Sequence, residues 1–156
     1  MNNLIYYPNS ALLTQCADVN FDKIDVQQYY DSMIDVMYKN NGIGLAAPQV
    51  GLPWRFFLMH NNMYINPIIV ERSDETETDI EGCLSFPHLW MKVKRAKDIV
   101  VEYYNNSGEH IENKFTGIES RCFQHELDHL DGICFNQRVS RLVFEIARKK
   151  QRKQNG

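Results

Sequence analysis

Two histidines four residues apart are the side chains whose spacing most directly indicates chemistry. They belong to the segment His125-Glu126-Leu127-Asp128-His129. On a helix, positions four apart project from one face about one turn apart, so both imidazoles can reach a single metal ion. Glu126 would then lie close enough to move protons at a water molecule that the metal activates. The same pattern is also typical of zinc metallopeptidases, so this segment alone leaves the reaction open.

A catalytic metal site of this kind needs a third protein ligand and an open position for water. The candidate ligand is Cys83, in the segment Glu81-Gly82-Cys83-Leu84-Ser85. A cation would stabilise the thiolate, and the neighbouring Gly82 would let the backbone approach the metal closely. The alternative is a purely structural zinc site. Such sites usually close with four protein ligands, and the sequence offers no convincing fourth.

A third segment, residues 42–51, contains two glycines and two alanines ahead of Gln49. Small residues suit a backbone that passes close to a ligand or to another strand. The glycine spacing matches neither of the common phosphate-binding loops. We therefore interpret Gln49 as an amide donor placed beside the metal.

Two helices are predicted around these segments. Apolar residues near helical spacing predict a first helix within residues 23–39, ended by Asn40-Asn41-Gly42. The spacing of Thr116 and Glu119 predicts a capping box at the start of a second helix, and Gly132 predicts its C-terminal cap. The inward stripe of this second helix is predicted to contain Ile118, Cys122, His125 and His129.

Short apolar stretches between the helices predict antiparallel strands. These stretches are residues 56–59, 64–70 and 99–104. A final helix over residues 140–150 has a modest apolar side, made by Leu142, Val143 and Ile146. The predicted fold class is therefore α+β, with antiparallel sheets around a central metal-binding helix. We expect one domain, in which residues 1–137 form the catalytic metallohydrolase and residues 138–156 a short basic C-terminal helix or tail.

Composition and charge narrow the function classes. The 156 residues are 44% apolar and 24% charged, which excludes a disordered or fibrous chain. Neither a signal peptide nor an apolar stretch of roughly 20 residues is evident, so we expect no membrane partner, and we expect no DNA partner either. Cys16, Cys122 and Cys134 are interpreted as small buried residues. Seven of the 17 basic and one of the 20 acidic residues lie in residues 138–156, which makes that segment strongly basic.

Taken together and in this order, the three segments resemble the signature motifs of peptide deformylases. These motifs are a GxGxAAxQ-type loop, an EGCxS strand and a QHExDH helix. The third match extends over nine positions, Gln124 to Gly132. The resemblance covers most of the chain, from about Tyr6 to Phe135, and three ordered motifs are far more specific than one.

The resemblance implies a ferrous ion bound by Cys83, His125 and His129, for which zinc, nickel or cobalt could substitute. It implies a hydrolase that removes the formyl group of N-formylmethionyl peptides, with water attacking the formyl carbon and formate released. Glu126 would carry the proton from the water to the leaving amine. The amide of Gln49 and the backbone N–H of Leu84 would stabilise the developing oxyanion.

The resemblance also implies how the substrate is held. The peptide would add as an extra strand beside Gly44, with Ile43, Cys122 and His125 lining an apolar pocket for the methionine side chain. Trp90 occupies a position where many members have an arginine that helps to hold the peptide backbone. Beneath the site, Glu81 and Arg95 are predicted to form an ion pair.

The short hairpin near His60 and the brief C-terminal helix resemble compact, phage-encoded members of the family. The expected partners are N-formylmethionyl nascent peptides, in the cytoplasm of a bacterium or of the bacterial host of a phage. In longer members the C-terminal helix helps to dock the enzyme on the ribosome. The basic segment 138–156 is therefore a candidate for ribosome association here, and the alternative is a solvated helix end that only favours solubility.

Overall fold

The computed structural model describes residues 3–155 and places them in seven strands and three α-helices. Met1, Asn2 and Gly156, at the ends of the predicted segments 1–137 and 138–156, lie outside the described residues. The strands are β1 (Gly44–Ala46), β2 (Phe56–Met59), β3 (Asn62–Arg72), β4 (Thr76–Cys83), β5 (Phe86–Ala96), β6 (Asp98–Tyr104) and β7 (His110–Thr116). The helices are α1 (Tyr30–Lys39), α2 (Gly117–Leu130) and α3 (Arg141–Asn155).

The strands form two antiparallel sheets, which confirms the predicted α+β class. One sheet has five strands in the order β1-β2-β3-β6-β7, and the other is the pair β4-β5. The strand stretches predicted at 56–59, 64–70 and 99–104 lie within β2, β3 and β6. Strand β1 stands at the edge of the larger sheet, and β4 ends at Cys83. Gly44 of β1 and Cys83 both line a cleft between the two sheets and α2.

Helix α2 is the central element, and residues 120–130 of it are all buried. Its Phe123 packs against a cluster of aromatic rings on the larger sheet, formed by Phe57, Tyr64 and Phe115. Ring pairs of this kind stabilise a core beyond the area that they bury. This packing fixes the face of α2 that carries the paired histidines.

The predicted capping box of α2 is wrong. Thr116 does hold the N-cap position, but its hydroxyl donates to Asp98 Oδ1 instead of capping the helix. Ile118, predicted on the inward stripe, is 69% exposed because the first turn of α2 stands at the rim of the cleft. The predicted C-terminal cap is present, since Gly132 adopts a φ of +73°.

The outer helices also differ from their predicted bounds. Helix α1 begins at Tyr30, and the preceding residues Val26–Tyr29 form a 3₁₀ turn capped by Asp25. Helix α3 continues to Asn155 and packs on β5 through Phe144 and Ala147. The apolar side predicted for it, Leu142, Val143 and Ile146, is exposed instead. None of the helices in the described part of the chain has the length and apolar character needed to cross a membrane.

Candidate active site

One sulfur and two imidazoles converge at the end of β4. The ligand atoms of Cys83, His125 and His129 all lie within 4.8 Å of one another. Cys83 Sγ is 3.4 Å from His129 Nε2. Two such ligands of one tetrahedral metal ion would be separated by about 3.6 Å, given metal–sulfur and metal–nitrogen bonds of about 2.3 and 2.1 Å. Within residues 3–155 no fourth histidine, cysteine or carboxylate joins this cluster, so the arrangement leaves a coordination position open.

The buried atoms around the three residues fit a metal ion. His129 is completely buried, and burial lowers its pKa well below the ordinary value, so the ring is neutral and has a lone pair to donate. Glu126 Oε2 is buried and has no hydrogen-bond partner in the described structure. An unpaired buried acceptor costs free energy unless water or a ligand completes it. A thiolate with two imidazoles is a donor set that suits Fe²⁺ or Zn²⁺.

Glu81 orients the first histidine of the pair. His125 Nδ1 lies 2.9 Å from Glu81 Oε1, which directs the opposite ring nitrogen toward the cluster. Arg95 donates to both oxygens of the same carboxylate, at 2.9 Å each, so the predicted ion pair is present. Burial alone would raise the pKa of Glu81, but hydrogen bonds from Arg95 and His125 outweigh burial and lower that pKa. The carboxylate therefore stays ionised beneath the site.

Three charged residues in this network were not predicted from the sequence. Arg121 donates to Glu81 Oε2 at 2.7 Å, to the Val93 carbonyl at 2.6 Å and to the Glu77 carbonyl at 2.8 Å. Asp128 accepts from Arg95 at 2.6 Å and from Arg138 at 2.7 Å. The signal that could have found Arg121 is its place four residues before His125. A charged residue on the buried side of a helix needs a buried partner.

Glu126 lies next to the cluster in a confined space. Burial raises the pKa of Glu126 to about 7. A Cβ atom placed on Gly44 would stand 2.8 Å from Glu126 Oε1 and 2.9 Å from Cys122 Sγ. Strand β1 can therefore approach the carboxylate this closely only because residue 44 has no side chain.

Gln49 and Leu84 both lie beside Cys83. The side-chain oxygen of Gln49 accepts from the backbone N–H of Ala46 at 2.9 Å, which fixes the amide orientation. Its nitrogen donates to Ser85 Oγ at 3.1 Å and faces Cys83 Sγ at 3.6 Å. Leu84 directly follows Cys83 and lines the same cleft.

The N-terminal segment holds the backbone on this side of the cleft. The N–H of Ile5 donates to the carbonyl of Gln49 at 2.7 Å, and the N–H of Tyr7 donates to the carbonyl of Ser85 at 3.0 Å. The Tyr7 ring stacks on Phe86 with ring centroids 4.6 Å apart. Two short segments that flank the cluster are thus joined through one stretch of chain.

A cleft of about 770 Å³ opens over the cluster, and its size is within the range of small-molecule sites. Its lining includes the four residues predicted to contact substrate, which are Ile43, Gly44, Trp90 and Cys122. Cys122 is buried, and burial raises the pKa of its thiol well above the ordinary value, so it is a neutral apolar wall. The Trp90 indole lies at the mouth and is 64% exposed.

The site agrees with the similarity of the chain to known proteins. A sequence profile described as polypeptide deformylase matches residues 1–145. The peptide deformylase of Thermotoga maritima is 43% identical over 134 residues, covering 83% of this chain and 81% of that protein. Its crystal structure superposes with a TM-score of 0.85 at 40% identity, over 90% of this chain and 98% of that one. The crystal structure of a peptide deformylase from Legionella pneumophila gives a TM-score of 0.91 at 30% identity, over 99% and 95% of the two chains.

These matches span nearly the whole chain and include the segments 42–51, 81–85 and 124–132. The predicted fold, reaction class and family therefore agree with the similarity in sequence and in structure. The chain belongs to the peptide deformylase family, the metal-dependent hydrolases that remove the N-formyl group from nascent peptides.

Proposed function

We propose that this deformylase uses a ferrous ion held by Cys83, His125 and His129, which zinc, nickel or cobalt can replace. The observation that carries the proposal is the cluster of one sulfur and two ring nitrogens within 4.8 Å, beside a buried carboxylate. When bound, the cation supplies the Lewis acidity that activates water and polarises the formyl oxygen. The protein supplies proton transfer, oxyanion stabilisation and substrate alignment.

Glu126 carries the proton in this proposal. Its unpaired Oε2 accepts a proton from the attacking water, and the same oxygen delivers that proton to the amine as the carbon–nitrogen bond breaks. Formate and a peptide with a free amino terminus are the products. In the metal-free protein, burial raises the pKa of Glu126 to about 7, which brings this carboxyl group closer to the neutral range in which it can both accept and release a proton.

Gln49 and Leu84 would stabilise the oxyanion that forms on the formyl oxygen. The support for Gln49 is its amide, whose oxygen is anchored by Ala46 and whose nitrogen faces the cluster. The support for Leu84 is its place directly after Cys83, where a backbone N–H borders the cleft. One such donor typically lowers the barrier by ~3 kcal/mol, because it acts where charge develops.

The substrate would bind as an added strand beside Gly44. The edge of β1 is unpaired in the described sheet, so backbone groups there can bond to an extended peptide. Ile43 and Cys122 would line the methionine pocket, and Trp90 would contact the peptide at the mouth.

The test is formate release from formyl-Met-Ala-Ser by iron protein prepared without oxygen. We expect Glu126→Ala to lower kcat by roughly 10²- to 10⁴-fold, the usual contribution of a positioned acid–base group. Glu119→Ala, which removes an exposed glutamate from the same helix, should leave kcat unchanged. Robust turnover by Glu126→Ala would overturn the mechanism. Cleavage of an unformylated longer peptide would favour the metallopeptidase alternative.

The substrates of such an enzyme are nascent chains, so we propose that it acts in the bacterial cytoplasm and touches the ribosome through the basic segment 138–156. The support is α3, whose exposed lysines include Lys149, Lys150 and Lys153. Replacing these three lysines with glutamate should reduce co-sedimentation with ribosomes. Unchanged co-sedimentation would count against ribosome association while leaving deformylation untouched.

A further inference from the structure

Five large apolar side chains stand exposed around the mouth of the cleft. They are Tyr6, Ile43, Ile80, Trp90 and Ile118. Single exposed apolar residues are ordinary on a protein surface. A ring of them that is continuous with a catalytic cleft indicates a surface that a ligand covers during function.

Ile80 and Trp90 form an apolar ledge on the β4–β5 pair. Gly82 lies opposite Trp90, and Ile80 lies opposite Lys92 in the antiparallel register. Side chains two residues apart on a strand, and those directly opposite, share one face of a sheet. Ile80 and Trp90 therefore stand side by side on the face that borders the cleft.

Gly82 lets the indole lie against the strand. A Cβ atom at Gly82 would stand 2.4 Å from Trp90 Cζ3 and 2.7 Å from its Cε3 and Cη2. The ring thus occupies the space that a side chain at residue 82 would take, while its outer face stays open to solvent. This contact holds the exposed indole of Trp90 in a defined position, with one face available to a ligand.

An extended peptide whose methionine fills the pocket must pass this ledge. Each residue of a strand advances the chain by about 3.3 Å, so the first two residues after methionine lie at the mouth of the cleft. We propose that Trp90 and Ile80 determine specificity by selecting formylated peptides with large apolar or aromatic side chains in these two positions. The inference rests on the proposed function, because it places the methionine in the cleft.

The charges at the mouth define the competing preference. Lys39 also lines the cleft, and Lys92 is the exposed cross-strand neighbour of Ile80. If these ammonium groups dominated, acidic residues after methionine would be preferred. The apolar ledge dominates in our proposal, because an exposed charge is strongly screened and an aromatic contact is not.

The experiment compares kcat/KM for four formylated tripeptides with the metal-loaded enzyme. The substrates are formyl-Met-Ala-Ser, formyl-Met-Phe-Ser, formyl-Met-Ala-Phe and formyl-Met-Asp-Ser. We expect at least one phenylalanine peptide to exceed formyl-Met-Ala-Ser by roughly tenfold, the lower end of what an added apolar contact in a site provides. The gain should appear mainly in KM, because the contact lies away from the reacting atoms.

For each variant we compare kcat/KM for the phenylalanine peptides with kcat/KM for formyl-Met-Ala-Ser, and express the result as a ratio. Trp90→Ala and Ile80→Ser should each reduce this ratio, and Trp90→Phe should retain most of it, because an aromatic ring still covers Gly82. Ile68→Ser is the matched control, since it removes an exposed isoleucine from β3, away from the cleft, and should leave the ratio unchanged. Peptide binding should also change the fluorescence of Trp90, and this signal should be absent from Trp90→Phe.

Efficient deformylation with equal kcat/KM for all four peptides would overturn the proposed role of Ile80 and Trp90 in specificity, but not the proposed function. A preference for the aspartate peptide, or a ratio that survives both Trp90→Ala and Ile80→Ser, would also overturn that role. Absence of formate from every peptide would overturn the proposed function, and the ledge with it.

Discussion

Arg121 and His125, one helical turn apart on α2, bind opposite oxygens of the same Glu81 carboxylate, at 2.7 Å and 2.9 Å. Arg121 also bonds to carbonyls of both β4 and β5. Its guanidinium therefore fixes the carboxylate and joins α2 to the β4–β5 pair that carries Cys83. The distance between Cys83 and the two histidines of α2 depends on this junction.

Arg121→Leu is expected to weaken metal binding. Loss of a residue that orients a ligand usually costs 10- to 100-fold in metal affinity. The metal affinity of Arg121→Lys should lie between those of Arg121→Leu and the wild type, because lysine keeps the positive charge but lacks the forked guanidinium group. The measurement is the rate of metal release to a chromogenic chelator. Arg141→Leu removes an exposed arginine from α3 and should behave as the wild type. Equal release rates for Arg121→Leu and wild type would contradict the role of this junction.

Glu81 is expected to make the stability of the metal-free protein depend on pH in the acid range. Its pKa in the folded protein lies below the ordinary value of 4.5, because hydrogen bonds from Arg95 and His125 outweigh burial. The ionised group therefore stabilises the fold fully above pH 4.5, and this contribution is lost as the pH falls through the folded pKa. We expect Glu81→Gln to cost about 3–5 kcal/mol at neutral pH and less in acid.

Urea unfolding of wild type and Glu81→Gln at neutral pH and at about pH 3 measures this difference. Glu112→Gln, an exposed change on β7, is the control and should follow the wild type at both pH values. A deficit for Glu81→Gln that stays constant into acid would show that ionisation of this carboxylate does not stabilise the fold.

Gly44→Ala should reduce activity more than stability. The new methyl group would meet Glu126 Oε1 at 2.8 Å, so the carboxylate must move, and a displacement of ~1 Å in a catalytic group can cost roughly 100-fold in rate. Gly108→Ala is the matched control, because a Cβ atom at residue 108 would meet no other atom within 4 Å, whereas the φ of +78° is unfavourable for alanine. It should lose about 1 kcal/mol of stability and no activity. Normal kcat for Gly44→Ala would contradict the close approach of β1 to Glu126.

Thiol labelling should distinguish Cys83 from the other cysteines. Burial raises the pKa of Cys16 to about 11 and that of Cys134 to about 12, and it raises the pKa of Cys122 well above the ordinary value. These three groups stay protonated near neutral pH and react slowly. Alkylation followed by mass spectrometry should find Cys83 labelled first in metal-free protein and protected once metal is added. Equal labelling of Cys83 with and without metal would contradict its place as a ligand.

The convergence of Cys83, His125 and His129 was predictable because its signals are local. The spacing of His125 and His129 depends only on helix geometry, and Cys83 lies in a short segment that the family resemblance identifies. The Glu81–Arg95 pair could be predicted from the same resemblance, and the structure contains it.

The helical spacing of Arg121 and His125 indicates that Arg121 is buried, but its partners could not be predicted because they come from distant strands. Nothing near residue 121 in the sequence indicates that Glu81 and two backbone carbonyls will surround its guanidinium. The predicted burial of Ile118 was wrong for a related reason. Helical periodicity predicts which residues share a face, but it does not predict where the cleft interrupts the core. The apolar side of α3 was likewise decided by β5, which accepts Phe144 and Ala147.

The hydrogen bonds from Ile5 and Tyr7 to Gln49 and Ser85 have a consequence for biosynthesis. They join residues that leave the ribosome early to partners made much later, and the ligand cluster is incomplete until residue 129 has been added. Contacts between such distant parts of a chain form late and slow folding. A partly translated copy therefore lacks part of the cluster, which can be completed only after most of the chain has emerged.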